Sequence, residues 1–135
     1  MERRLITLSA VVVILVLTVS ASDDPSLIPE GISVSVEDGD CKELAKFFNN
    51  NIELVIIDSE DVYSKSQAEL IMKDFFSKYP PDDFDILHEG GREASRYAIG
   101  KLVSGDNVFR VYFLLNKVED ELKIHQMRIE YDEDG

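Results

Sequence analysis

The chain has 135 residues, 27 of them acidic against 14 basic, and a formal charge of −13. That length fits a single domain, and that charge argues against nucleic acid and anionic membrane surfaces as partners, because both call for a basic patch. Cys41 is the one cysteine, so no disulfide can close within the chain and stability has to come from a packed apolar core.

Residues 1–21 have the pattern of an export signal. Arg3 and Arg4 precede an apolar stretch over residues 5–19, and Val19-Ser20-Ala21 places small residues where a signal peptidase reads. The stretch is shorter than the roughly 20 apolar residues of a membrane-spanning helix, and Ser22-Asp23-Asp24-Pro25 follows at once. Cleavage near Ala21 puts the expected location in the periplasm or outside the cell, with no membrane attachment afterwards. Losing Glu2, Arg3 and Arg4, net +1, leaves −14. Residues 22–27 read as a flexible leader, residues 28–131 as one domain and residues 132–135 as an acidic, solvated tail.

Within the domain the first signals conflict. Ile32, Val34 and Val36 alternate as in a strand. Yet Ile28, Ile32 and Val36 also recur at helical spacing, and Pro29, suited to a helix start, and Gly39, suited to a stop, favour the helix. Asp40-Cys41-Lys42-Glu43 has the form of a capping box, and Leu44, Phe47 and Phe48 then share a helical side until Asn49-Asn50-Asn51 ends it. Cys41, beside Leu44 and Ala45, is expected as a small core residue. Residues 52–57 form an apolar run of strand length, and residues 58–61 read as a turn. Ser64 and Gln67 make a second capping box. Ala68, Ile71, Met72, Phe75, Phe76 and Tyr79 then mark the clearest helix, stopped by Pro80-Pro81.

After Pro81 the apolar period changes to two. Strands are expected over residues 84–89 (closed by Gly90-Gly91), 95–103, 108–117 and 122–131. Turns fall at Ser104-Gly105-Asp106-Asn107 and at Val118-Glu119-Asp120-Glu121. The predicted order is α-α-β-α-β-β-β-β: an α+β domain with N-terminal helices packed on a curved, mainly antiparallel sheet.

Several stretches together resemble a known family. They are Lys42-Glu43-Leu44-Ala45-Lys46-Phe47-Phe48, Tyr63-Ser64-Lys65-Ser66-Gln67-Ala68-Glu69, Asp74-Phe75-Phe76, His88-Glu89-Gly90-Gly91 and Tyr97-Ala98-Ile99-Gly100. Phe109-Arg110-Val111-Tyr112-Phe113-Leu114-Leu115 and Ile124-His125-Gln126-Met127-Arg128-Ile129 complete the set. Over roughly residues 28–130 the chain resembles small exported proteins of Gram-negative bacteria that share a domain of unknown function. They lie within the cone-shaped superfamily named after nuclear transport factor 2, which also holds ketosteroid isomerases and polyketide cyclases. The resemblance implies the cone fold, export and a possible homodimer through the outer sheet face. It supplies no catalytic residues to carry over, and fold alone does not settle function.

Candidate site residues are few. Arg110, Tyr112, Gln126 and Arg128 fall on one face by strand alternation, Gln126 and Arg128 together with Ile124; on a concave surface they would grip an anion bidentately. The competing reading is an exposed face whose arginines pair with acids across the strands. Tyr97 is a further hydroxyl donor. His88 and His125 lie on different strands and would converge only across the sheet, and without spaced carboxylates they make a weak metal signal. Asp85, between Phe84 and Ile86, alternates toward solvent rather than into a cavity. No catalytic or metal residue is assigned and no cofactor is expected. The expected function is a non-enzymatic module that binds a small molecule or a protein in a cone pocket or on a curved sheet face. The alternative is a small-molecule isomerase or hydrolase with a cavity acid or base.

Overall fold

A computed structural model describes residues 26–133; the expected export signal and the last residues of the expected acidic tail lie outside the described residues. Three helices and six strands follow in the order α1 (Glu30–Asp38), α2 (Cys41–Ala45), β1 (Phe48–Ile56), β2 (Ser59–Ser64), α3 (Lys65–Lys78), β3 (Asp83–Arg92), β4 (Ser95–Ser104), β5 (Asn107–Val118) and β6 (Glu121–Tyr131). The strands form one sheet in the order β2-β1-β6-β5-β4-β3. The β1–β6 pair is parallel and every other pair antiparallel, so the expected α+β class with helices on a mainly antiparallel sheet holds.

The helix boundaries follow their local chemistry. Gly39 ends α1 in a left-handed conformation, φ 66°, which glycine adopts without steric cost. Asp40 caps α2 by accepting the Glu43 N–H at 3.0 Å, but the Glu43 carboxylate turns to Lys46 Nζ instead of closing the box. The box at α3 is complete: Ser64 Oγ accepts the Gln67 N–H, and Gln67 Oε1 accepts the Ser64 N–H.

Three local expectations give way to pairing. Helix α2 stops at Ala45, and Phe48 enters β1 opposite Ile124 of β6; the Ile124 N–H donates to the Phe47 carbonyl at 2.7 Å. Phe48 is buried there, so sheet pairing and burial override the helical spacing of Leu44, Phe47 and Phe48, and Asn49-Asn50-Asn51 continue the strand. The expected turn after Asp58 is instead the edge strand β2, which exists by pairing with β1 from Ser59 to Ser64. Gly90-Gly91 lie inside β3 rather than ending it.

The helices cover one face of the sheet. Ile32, Val36, Leu44, Ala68, Met72, Phe75 and Phe76 from the helices meet Phe48, Ile52, Leu54, Phe84, Phe109, Val111, Phe113, Leu115, Ile124, Met127 and Ile129 from the strands. Full burial of a Leu, Ile, Met or Phe side chain is worth about 1.5–3 kcal/mol, so this layer dominates stability. Cys41 is partly buried against it with a free thiol. Met72, Phe75 and Phe76 fill the space beneath the sheet.

The end of the expected leader is tied to the domain. Glu89 accepts from Ser26 Oγ at 2.7 Å and from the Leu27 N–H at 3.3 Å, and Arg96 donates to the Leu27 carbonyl at 2.8 Å.

Candidate functional site

The sheet face turned away from the helices collects most of the polar residues singled out in the sequence. Buried Phe109, Val111, Phe113 and Leu115 alternate along β5 with Arg110, Tyr112 and Leu114, so the latter point outward. The ladder carries that face across the sheet in rows. One row runs Glu60, Val55, Arg128, Tyr112, Ile99, His88, and the next runs Val62, Glu53, Gln126, Leu114, Tyr97, Gly90. A third holds Glu130, Arg110, Lys101 and Asp85. Tyr97, Arg110, Tyr112, Gln126, Arg128 and His88 therefore share one surface, and Asp85 is exposed there as its alternation requires.

Two features differ from the expected geometry. The surface lies on the far side of the sheet from the helices, outside the cone. Ile124 also does not share it with Gln126 and Arg128. The β5–β6 register shifts so that Leu114 pairs with Gln126 while Leu115 pairs with Ile124. The extra residue, His125, is a bulge that returns Ile124 to the core.

The histidines do not converge. His125 Nδ1 lies 3.1 Å from the Lys123 carbonyl beside the bulge. His88 stands on β3, three strands from β6, or about 14 Å at normal strand spacing. Among the described residues no three His, Cys, Asp or Glu side chains gather to hold a metal ion.

Local contacts hold the face in shape. Arg128 bonds Glu130 at 3.1 Å, while Arg110 stays exposed over a groove shared with Asp58, Glu130 and Asp132. Tyr97 lays its ring over Gly90, where a Cβ would collide with it, and its hydroxyl meets His88 Nε2 at 3.1 Å. Val55 is nearly fully buried on this face, beside Arg128. Sequence reading missed Val55 and Glu53, since the run from Ile52 to Ile57 shows no alternation and nothing local announces the parallel pairing with β6.

Three helices against one face of a curved mixed sheet give the chain the fold of nuclear-transport-factor-2-like proteins. A protein of that kind from Shewanella baltica superposes with a TM-score of 0.61 at 12% identity, covering 76% of this chain and 86% of that one. The particular family is the domain of unknown function DUF4783, whose pattern matches residues 29–130, and the chain belongs to it. A DUF4783 protein from Bacteroides uniformis is similar at 32% identity and TM-score 0.76, covering 78% of this chain and 98% of that one. One from Bacteroides fragilis is similar at 30% identity and TM-score 0.74, covering 78% and 99%. No curated protein matches the chain.

Proposed function

We propose that this domain is an exported, non-enzymatic binding module that meets a protein partner, a second copy of itself included, through the outer face of its sheet. The observation that carries the reading is the two adjacent rows in which Tyr112, Arg128 and His88 lie beside Tyr97, Gln126 and Leu114. Tyrosine and arginine are the residues most often found at the energetic centre of protein interfaces. Here they surround apolar Ile99, Leu114 and Val55, with Glu53, Glu60, Asp85 and Glu130 at the margin. A face bearing both signs of charge can complement itself about a two-fold axis.

A cavity acid or base finds little support. Met72, Phe75 and Phe76 occupy the space under the sheet, and the His88–Tyr97 pair sits on exposed surface, where water competes for every proton. Export rests on the pattern of residues 1–21 and places the module in the periplasm or outside the cell.

The test is native mass spectrometry of the protein recovered from a periplasmic extract, repeated with Arg128→Glu. A dimer or a retained protein partner that the substitution releases supports the reading. A monomer without partner at tens of micromolar overturns it.

A further inference from the structure

We infer that the groove between the second half of α3 and the β1–β2 hairpin is a separate site for a small, mostly apolar molecule bearing one carboxylate. This open groove offers about 360 Å³, at the lower end of the 300–1,000 Å³ range of small-molecule sites, and at protein-like packing it would hold roughly a dozen non-hydrogen atoms. Nine partly buried apolar side chains fringe the core, and five of them line this one groove: Ile56, Ile57, Tyr63, Ile71 and Tyr79. Among the described residues, more of these partly covered side chains meet here than in any other groove.

The hairpin corner is costly to build. Ile57 adopts φ 55°, a left-handed conformation that a β-branched residue takes at a cost of about 1–3 kcal/mol. A glycine would avoid that cost but leave the groove without this wall. The corner is held in place by the Ile57 N–H, which donates to the Ile129 carbonyl at 2.8 Å.

The polar rim of the groove carries both signs, Lys78 and Asp74. Lys78 lies with Nζ 5.4 Å from the centre of the Tyr79 ring and makes no ion pair among the described residues. The Tyr79 and Tyr131 hydroxyls share one hydrogen bond of 3.0 Å. With Tyr131 donating, Tyr79 keeps its own O–H for a ligand oxygen. An ammonium and a phenol O–H together suit a carboxylate. Asp74 on the same wall attracts a cationic head and opposes a carboxylate, as Lys78 does the reverse, so the Tyr79 O–H, a donor for a ligand oxygen, tips the preference toward the acid.

Three probes with the same body test this: 4-phenylbutyrate, 4-phenylbutan-1-ol and 4-phenylbutylamine, titrated into the purified protein and followed through isoleucine methyl resonances. The acid is expected to bind with Kd of roughly 0.1–1 mM, the range of modest ligand efficiency at this size. Its shifts should centre on Ile56, Ile57 and Ile71, and the alcohol should bind about tenfold more weakly. Lys78→Gln, at an exposed position, should weaken the acid about tenfold and leave the alcohol unchanged. Ile71→Glu should remove binding of both while the methyl spectrum stays folded. The proposal fails if the amine binds more tightly than the acid, if Lys78→Gln leaves the acid unaffected, or if no probe at 5 mM gives shifts confined to this groove.

Discussion

Tyr112 of β5 stands directly opposite Arg128 of β6, and the two occupy the middle of an outward-facing row that reaches from Glu60 on one edge strand to His88 on the other. Their strand neighbours on either side point into the core. The pair is therefore fixed by the buried layer beneath it while remaining available above it.

Reversing the charge at this position separates binding from folding. Arg128→Glu removes an exposed bridge to Glu130, and such bridges contribute about 0–1 kcal/mol. Urea unfolding should shift by no more than that. Loss of an arginine at an interface centre costs about 2 kcal/mol or more. Sedimentation equilibrium should then show association through this face weakened by roughly thirtyfold.

The two glycines of β3 should respond differently to alanine. At Gly90 the added Cβ meets the far end of the Tyr97 side chain, which can swing aside at the cost of its bond to His88. At Gly91 the backbone has φ 106°, and the obstacle is the main chain of Ser95 and Arg96. Gly91→Ala should cost about 1–3 kcal/mol from backbone strain alone, and Gly90→Ala clearly less. Thermal unfolding of the two variants side by side checks the order. Gly90→Ala should in addition move the His88 and Tyr97 ring resonances seen by NMR, because their contact at 3.1 Å is lost.

The capping box of α3 gives a smaller and cleaner expectation. Ser64→Ala deletes the acceptor of the Gln67 N–H at an exposed site with no cavity left behind. The loss should be about 0.5–2 kcal/mol in urea unfolding, and Ser64→Asp, which restores an acceptor at the helix N-terminus, should recover most of it.

The same helix shows why some elements are legible in the sequence and others are not. Both signals of α3 are local: Ser64 and Gln67 at its start and the buried series Ala68, Met72, Phe75, Phe76 along it. Strand β2 has no such signal. Ser59-Glu60-Asp61 is polar and exposed, has the composition of a turn, and becomes a strand by pairing with β1. Phe47 and Phe48 fit a helix until β6, distant in sequence, offers a partner. On the candidate face, alternation alone places Tyr97, Arg110, Tyr112, Gln126 and Arg128. The bulge at His125 is invisible to alternation, so alternation puts Ile124 on the wrong face. The groove beside α3 depends on the left-handed corner at Ile57, a position where sequence statistics favour glycine or asparagine.

The tyrosine pair at the edge of that groove makes a spectroscopic prediction. The hydroxyl of Tyr131, hydrogen-bonded to Tyr79, stabilises the Tyr79 phenolate, and nearby Lys78 adds to this, so Tyr79 titrates below the usual phenol range. Tyr131 is shifted upward, first by its bond to Tyr79 and then by desolvation. In stability the two shifts act in opposite directions. The lowered Tyr79 pKa adds stability above the unfolded phenol pKa of about 10. The raised Tyr131 pKa adds stability below it, which is lost as the pH climbs through the folded value. The observable consequence is a broadened absorbance titration near 295 nm rather than a marked change in unfolding free energy. Tyr131→Phe removes the donor, so the early phase assigned to Tyr79 should move up toward the ordinary range. Lys78→Gln should move it up by a smaller amount. If the early phase survives both substitutions unchanged, it belongs to another tyrosine and the hydrogen-bond polarity assigned to the pair is wrong.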